Sequence, residues 1–168
     1  MSVDLDEFSE FASARGAQLF RMAYLLAGNR HAAEDLTQTT LGKLYAAWPH
    51  VRRADNPVAY SRKVMIRTYV ADRRKTSQER PTDAPPADSH YDRDSALRLT
   101  LFAALAELRP RDRAIVVLRY WEDHSVEDTA ALLGISAGAV RTQSMRALAR
   151  LRERLGSAAS QYRELSGL

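Results

Sequence analysis

The chain has 168 residues, 45% of them hydrophobic, with 25 lysines and arginines against 21 aspartates and glutamates. This length holds one ordinary domain or two small helical ones, and the apolar fraction excludes disorder throughout. The absence of cysteine excludes disulfides, a thiolate nucleophile and cysteine-ligated zinc, and it fits a reducing cytoplasm.

Charge is distributed unevenly along the chain. Residues 49–75 carry eight basic and two acidic side chains, and residues 109–155 carry nine basic and six acidic ones. Residues 76–97, between them, carry two basic and five acidic side chains. Two basic modules separated by an acidic strip permit nucleic-acid binding. Because no apolar run approaches the ~20 residues of a membrane span, we expect a soluble, cytoplasmic protein.

The first 48 residues predict three helices. Apolar residues at helical spacing begin at Leu5, Gly16 interrupts them, and a second apolar run continues to Gly28. Asn29 is placed as the N-terminal cap of the third helix. The face of that helix expected in the core consists of Ala33, Leu36, Thr37, Thr40, Leu44, Ala47 and Trp48. The opposite face consists of Asp35, Gln38, Thr39 and Gly42, which alone indicates an ordinary solvated surface.

The next segment predicts a loop from Pro49 to Pro57, followed by a helix that Asn56 caps and that runs to about Lys75. Its apolar side is expected to consist of Val58, Ala59, Met65, Ile66, Tyr69 and Val70. Its other side is expected to consist of Tyr60, Lys63, Val64, Arg67, Ala71 and Arg74. A ring among cations suits single-stranded DNA, whose bases stack and whose phosphates attract positive charge. A tyrosine half in the core, surrounded by snorkelling cations, explains the pattern equally well.

Residues 76–94 contain three prolines and no apolar period, which predicts a flexible acidic linker. Ser95 is then expected to open a helix with Leu97, Leu101, Ala104, Leu105 and Leu108 on its apolar side. Pro110 is expected to start another with Ile115, Val116, Leu118 and Trp121. After Leu155, only a short tail is expected.

The stretch Ser125–Arg154 predicts two helices joined by a tight turn. Ser125 lies three residues before Asp128, as in a capping box, and Gly134 ends a helix over Val126–Leu133 by supplying a left-handed residue. Ser136 caps a longer helix, whose core stripe is expected to be Val140, Ser144, Ala147, Leu148, Leu151 and Leu155. The opposite side carries Arg141, Thr142, Met145, Arg146 and Ala149. Outward guanidinium groups that can bind guanine edges are typical of a DNA-reading helix-turn-helix.

A basic helix face is often no more than a solvated one. Here five arginines from Arg141 to Arg154 accompany a single acid, Glu153, and small residues stand where two helices must cross closely, which favours DNA binding. The four histidines are scattered, and neither a metalloprotease pattern nor a glycine-rich phosphate loop occurs. We therefore expect no enzyme, no metal and no cofactor.

Three segments, in this order, closely resemble an extracytoplasmic-function sigma factor of the sigma-70 family. They are AEDLTQTTLGKLYAAW (33–48), NPVAYSRKVMIRTYVADRRK (56–75) and LRPRDRAIVVLRYWEDHSVEDTAALLGISAGAVRTQSMRALARLR (108–152). The resemblance covers nearly the whole chain and is strongest to the small actinobacterial type. It implies an all-α fold of two small domains, 1–75 like region 2 and 95–155 like region 4, joined by linker 76–94 and followed by tail 156–168.

The resemblance also implies functions for these parts. Region 2 would bind core RNA polymerase and recognise and melt the minus-ten element, and region 4 would recognise the minus-thirty-five element. The residues implied to bind the clamp helices of the largest polymerase subunit are Asp35, Gln38 and Thr39. Those implied for single-stranded minus-ten DNA are His50, Arg52, Arg53, Asn56, Tyr60, Lys63, Arg67 and Arg74. Those implied for the minus-thirty-five element are Arg141, Thr142, Met145 and Arg146.

Two of these positions depart from the family pattern. Thr39 stands where a glutamate or aspartate is common, which implies a lower affinity for the clamp. Arg67 replaces a usual asparagine, so the family's base preference does not transfer to that position. The implied partners are core polymerase and promoter DNA, and the family also admits an anti-sigma factor. Two other classes stay open: a stand-alone helix-turn-helix regulator, and a helical adaptor that does not bind DNA.

Overall fold

A computed structural model describes residues 2–76 and 93–165, with side chains over 4–72 and 99–157. Within these ranges every regular element is a helix, which confirms the all-α prediction. The chain divides into two compact units, Met1–Thr82 and Asp83–Leu168. Residues 77–92, which make up most of the predicted linker 76–94, lie outside the described residues.

Over residues 2–76 the first unit forms the helices α1 Ser2–Ala27, α2 Arg30–Ala46, α3 Trp48–Val51 and α4 Pro57–Thr76. Its helix starts follow local chemistry. Asn29 caps α2 by accepting the amide hydrogen of Ala32 over 2.8 Å, and Asn56 accepts that of Ala59 over 3.0 Å at the start of α4. Gly28, with φ of 81°, makes the left-handed turn between α1 and α2. These capping predictions are confirmed.

Two predictions for this unit are wrong. Gly16 does not interrupt a helix, because α1 is continuous and the ~1 kcal/mol cost of a mid-helix glycine is small beside the packing of its apolar face. The segment Pro49–Pro57 is not a loop throughout, since α3 forms a helical turn in which proline occupies a first-turn position. This turn is stabilised by packing: Trp48 lies 5.3 Å from the ring of Phe8 and 5.2 Å from that of Phe11, between centroids.

The second unit contains α5 Arg93–Ala106, α6 Pro110–Val116, a π-helical turn Val117–Trp121, α7 Val126–Leu133 and α8 Ala137–Leu165. The predicted start of α5 at Ser95 is two residues late. Ile115, Ala130 and Val140, one each from α6, α7 and α8, form a buried cluster that joins the two helices of the helix-turn-helix to the rest of the unit. The C-terminal part of the chain is therefore a packed domain that presents α7 and α8 together.

The π-helical turn explains one wrong prediction. Trp121 was expected on an apolar face, but 60% of its surface is exposed. The amide of Glu122 donates to the carbonyl of Val117, five residues earlier, over 2.9 Å. The wider turn rotates the following side chains away from the register that an α-helix would give.

The last helix is longer than predicted. α8 continues through Gly156 to Leu165, where a short tail was expected after Leu155. One glycine costs about 1 kcal/mol in a helix, and the residues that follow it include alanine, glutamine, arginine and glutamate, which favour helix. A single glycine is therefore a weak stop signal without a left-handed cap.

Candidate nucleic-acid interface

The helix-turn-helix is built as the local signals predict. Ser125 accepts the amide hydrogen of Asp128 over 2.9 Å, and its hydroxyl donates to the Asp128 carboxylate over 2.7 Å. Gly134 has φ of 65°, and the next amide, of Ile135, donates to the carbonyl of Ala130. The Ser136 hydroxyl accepts the amide hydrogen of Ala139 over 3.1 Å at the start of α8. The capped ends fix where α8 begins, and so which of its side chains point outwards.

The outward face of α8 carries the residues predicted to read paired DNA. Four of the stripe positions expected inside are buried: Val140, Ser144, Ala147 and Leu151. The predicted site residues Arg141, Thr142, Met145 and Arg146 are all exposed. Met145 has the most exposed large apolar side chain in the described part of the chain, at 73%. The structure thus brings forked donors and an apolar group together within the first three turns of one helix.

The two arginines on this face have different surroundings. The Nη2 of Arg141 donates to the Oε1 of Glu127 in α7 over 3.1 Å. Arg146 makes no hydrogen bond or ion pair with any side chain in the described parts of the chain. One guanidinium is therefore tethered to the neighbouring helix, and the other extends into solvent.

The second predicted face lies on α4 in the first unit. Met65, Ile66 and Tyr69 are buried, whereas Arg67 is exposed and Tyr60 is 36% exposed. Lys63 is half-buried. Because residues three, four and seven positions apart share a helix face, Tyr60, Lys63 and Arg67 form a strip, which is named the α4 strip below. Arg74 is predicted on the same strip, but its side chain lies outside the described residues.

Two assignments on α4 are wrong. Ala59, predicted on the apolar side, is exposed, and Val64, predicted on the polar side, packs against the cluster of Leu44, Trp48 and Val51. Burial follows the sector centred on Ser61, Met65 and Thr68, which includes small polar residues. Ser61 can be buried because its hydroxyl donates to the carbonyl of Val58 over 2.7 Å.

The turn before α4 holds four further predicted residues. His50 and Arg53 are exposed, and Asn56 is exposed with its carbonyl oxygen engaged as the α4 cap. Arg52 is held by α1: its Nη1 lies 3.0 Å from the Glu7 carboxylate and 3.0 Å from that of Asp4. The hydrogen bond to Glu7 and the charge of Asp4 raise the pKa of Arg52 above its usual value. The charge of Arg52 is therefore partly compensated in the free protein.

The predicted polymerase-binding residues lie on the outer face of α2. Asp35, Gln38 and Thr39 are exposed, opposite the buried Leu36, Thr37 and Thr40. The Oδ2 of Asp35 lies 3.5 Å from the Nε2 of His31, one turn earlier on the same helix. The side chains at 35, 38 and 39 share a surface, and none of them is needed to fill the core.

Sequence reasoning missed the acidic partners of both faces. Asp4 and Glu7 are 45 or more residues from Arg52, and Glu127 is 14 residues from Arg141. No spacing rule links such positions, so opposite charge alone could not have identified the pairs before the helices were placed.

Neither a membrane span nor a metal cluster is present in the described structure. None of the helices in 2–76 and 93–165 combines the length and the hydropathy that a bilayer crossing requires. Over 4–72 and 99–157, where side chains are described, no group of three acidic or histidine side chains is placed to share a metal ion.

Both halves of the chain match models of known protein families. Residues 12–79 match "Sigma-70 region 2", and residues 98–151 match "Sigma-70, region 4". The chain is 41% identical over 152 residues to the RNA polymerase sigma-E factor of Streptomyces coelicolor, covering 89% of this chain and 86% of that protein. It is 42% identical over 154 residues to the protein of the same description from Streptomyces avermitilis, with 90% and 86% covered.

A comparison of folds agrees. The structure of the sigma factor RpoE in complex with the anti-sigma factor NepR from Bartonella quintana matches with a TM-score of 0.67 at 24% identity, covering 89% of this chain and 97% of that one. CnrH, in complex with the cytosolic domain of CnrY, matches with a TM-score of 0.59 at 21% identity, covering 89% and 88%. At such low identity these two matches support the fold alone.

Proposed function

The chain belongs to the sigma-70 family, and we propose from that premise that it uses its two units for successive steps of promoter recognition. It is an alternative sigma factor that directs transcription initiation. As such it acts on the chromosome together with core RNA polymerase, which in bacteria means in the cytoplasm. The finer proposal concerns which residues carry each step.

The single observation that supports this division is the contrast between the two faces. The α8 face offers guanidinium groups, which can donate two hydrogen bonds to one guanine edge in a major groove. The α4 strip offers an aromatic ring beside cations, and stacking on a ring requires a base that has left the duplex. We assign Arg141, Thr142, Met145 and Arg146 to the paired minus-thirty-five element. The minus-ten single strand is assigned to the α4 strip and the turn before it.

The order of events follows from the same chemistry. A group that binds only an unstacked base favours the melted state, because a ligand shifts an equilibrium only by its difference in affinity for the two states. Binding of α8 to paired DNA does not require melting. We therefore propose that the second unit locates the promoter, and that the first unit stabilises the opened strand.

Attachment to the enzyme is assigned to the outer face of α2. Asp35, Gln38 and Thr39 are exposed on the side of α2 opposite the core, so these side chains contribute little to the stability of the fold. A carboxylate flanked by hydrogen-bonding side chains suits a basic, polar surface on the clamp helices of the largest subunit. The linker 76–94 and the domain limits 1–75 and 95–155 are part of this proposal.

Run-off transcription with purified core polymerase tests the function directly. A genomic promoter library transcribed with and without this chain should give transcripts that depend on it. Tight, sequence-specific binding of the chain to duplex DNA without polymerase, with no added transcript, would favour the stand-alone regulator. Full activity of a variant lacking both Arg141 and Arg146 would favour the adaptor.

A further inference from the structure

We infer that Glu127 is a positioning residue for base recognition: it holds Arg141 so that the guanidinium presents its remaining donors to one base pair. This inference rests on the proposed function, because it needs α8 to lie in the major groove. It assigns a role in sequence specificity to an acidic side chain of α7. It also distinguishes Arg141, whose rotamers the carboxylate limits, from Arg146, which has no such partner among the described side chains.

The contact leaves the guanidinium competent to bind a base. Arg141 engages Glu127 through one hydrogen of Nη2, over 3.1 Å. A guanidinium has five N–H donors in a planar fork, so four remain, and a guanine edge requires two. The carboxylate lies on α7, which α8 packs against through the cluster of Ala130 and Val140. The packing therefore fixes the position of α7, which carries the Glu127 carboxylate, relative to α8, which carries Arg141.

Stability in the free protein does not explain the pair. The side chains of Arg141 and Glu127 are 60% and 69% exposed, and ion pairs in such settings contribute little to folding because water and salt screen them. The pair becomes stronger when DNA covers it and excludes water, since electrostatic interactions strengthen in a lower dielectric. Its effect is thus expected mainly in the bound state, where it limits the rotamers of Arg141.

A carboxylate near DNA also has a simpler consequence, namely repulsion of phosphates. The two roles differ in what they predict. Repulsion weakens binding to every sequence alike, so removal of the charge strengthens binding to all of them. Positioning acts on one base pair, so removal of the carboxylate lowers discrimination at that pair and leaves the rest unchanged. Measurement of base preference, not of affinity alone, separates them.

Asp128 provides a matched control. It lies beside Glu127 in the first turn of α7, carries the same charge, and contacts Ser125 and not Arg141. Glu127→Ala and Asp128→Ala remove equal charge from the same turn. Glu127→Gln removes the charge but keeps an acceptor oxygen, so it should retain part of the positioning.

The experiment uses holoenzyme reconstituted from the full chain and core polymerase, with duplex promoter DNA randomised over the upstream element as the probe. Arg141→Ala identifies the base pair that Arg141 reads. Glu127→Ala should lower discrimination at that same pair by about two- to tenfold, as expected for coupled neighbours, and change affinity for unrelated DNA by less than about twofold. Asp128→Ala should leave the pair unchanged. Glu127→Ala added to Arg141→Ala should have no further effect there.

Three results overturn the inference while the proposed function stands. They are unchanged discrimination in Glu127→Ala, equal loss in Asp128→Ala, and uniform tightening on all sequences. In the first of these cases, a lower melting temperature of Glu127→Ala would show that the pair has a purely structural role. If the parent holoenzyme selects no upstream sequence, or Arg141→Ala alters no base pair, the proposed function of α8 fails, and the inference fails with it.

Discussion

Arginines on the two proposed DNA faces differ in how many carboxylates hold them. In the first unit, the side chain of Arg52 is 33% exposed and contacts the carboxylates of Asp4 and Glu7 in α1, which lies far away in the sequence. On α8, Arg141 has one acidic partner and Arg146 has none among the described side chains. A cation that fastens one helix to another is a poorer phosphate ligand than its charge suggests. Counting basic residues along the chain therefore overstates the positive charge available to the single strand.

The largest effect is expected when the ring of Tyr60 and the exposed cation of Arg67 are removed from the α4 strip. Tyr60→Ala with Arg67→Ala should make the free energy of open-complex formation less favourable by about 3 kcal/mol, since a stacked base contributes ~1–3 kcal/mol and a charge-assisted phosphate contact ~1.5–3 kcal/mol. Footprinting over the upstream element should persist, while permanganate-reactive thymines near the start site should be lost. Arg15→Ala with Arg21→Ala, exposed cations of α1, is the control. If the Tyr60→Ala, Arg67→Ala variant opens the promoter normally, the α4 strip is an ordinary solvated surface and does not bind the single strand.

The next effect concerns Arg146, which has no partner among the described side chains. Arg146→Ala should cost about 2 kcal/mol on the preferred upstream sequence and relax the preference at one base pair, because two forked hydrogen bonds are lost. Competition binding of holoenzyme to single-base variants measures it. Arg152→Ala, an exposed cation later on the same helix, should weaken all sequences evenly. If Arg146→Ala behaves like Arg152→Ala, Arg146 binds phosphate only.

A change on α2 should leave both DNA faces intact. Asp35→Ala with Gln38→Ala should lower core-polymerase binding roughly tenfold, or about 1.4 kcal/mol. The free energy of unfolding should change by less than about 0.5 kcal/mol, because these side chains are exposed. Pull-down and thermal melting measure the two quantities. Glu34→Ala, at a neighbouring position where the carboxylate pairs with Arg30, is the control. Undiminished pull-down would remove this face from the polymerase interface.

Freeing Arg52 sharpens the comparison directly. In Asp4→Ala with Glu7→Ala the guanidinium loses both carboxylates and becomes available to a phosphate. Holoenzyme binding to a pre-melted template should then depend more steeply on salt, by about 0.7 in the logarithmic slope for one added single-strand contact. Asp6→Ala with Glu10→Ala removes the same charge from exposed positions of α1 and should not steepen the slope. A lower melting temperature with an unchanged slope would show that the pair serves the fold alone.

The smallest effect concerns Met145. Its 73% exposure on the α8 face suits a contact with a thymine methyl, which adds apolar area without a hydrogen bond. Replacing each upstream thymine in turn by deoxyuridine removes one methyl group and should weaken binding by no more than about 0.8 kcal/mol at one position. In Met145→Ala that replacement should have no effect. Equal sensitivity in both proteins would assign the methyl contact elsewhere.

Predictions made from short spacings were the accurate ones. The caps at Asn29, Asn56, Ser125 and Ser136 and the left-handed Gly134 depend on hydrogen bonds within three to five residues, so the sequence alone contains the information. The core stripe of α8 was predictable for the same reason, because one periodicity fixes all its members. The roles assigned to its outer residues stay predictions.

The errors arose where a distant partner or an altered register decides the outcome. Gly16 reads as a helix break until the packing of α1 is known, and Trp121 reads as core until the π-helical turn rotates it outwards. Val64 is half-buried because α3 brings Trp48 and Val51 against it. The contacts of Arg52 and Arg141 likewise need the relative placement of helices, which propensity and periodicity do not contain.

The length of α8 has a mechanical consequence. At 1.5 Å per residue its 29 residues extend about 43 Å, and the residues proposed to enter the groove lie in its first three turns. A rigid rod held near one end magnifies small rotations, so a tilt of ~5° displaces the other end by about 4 Å. A distance probe attached near the far end of α8 would therefore distinguish docking angles on different promoters that contacts at the base edges cannot resolve.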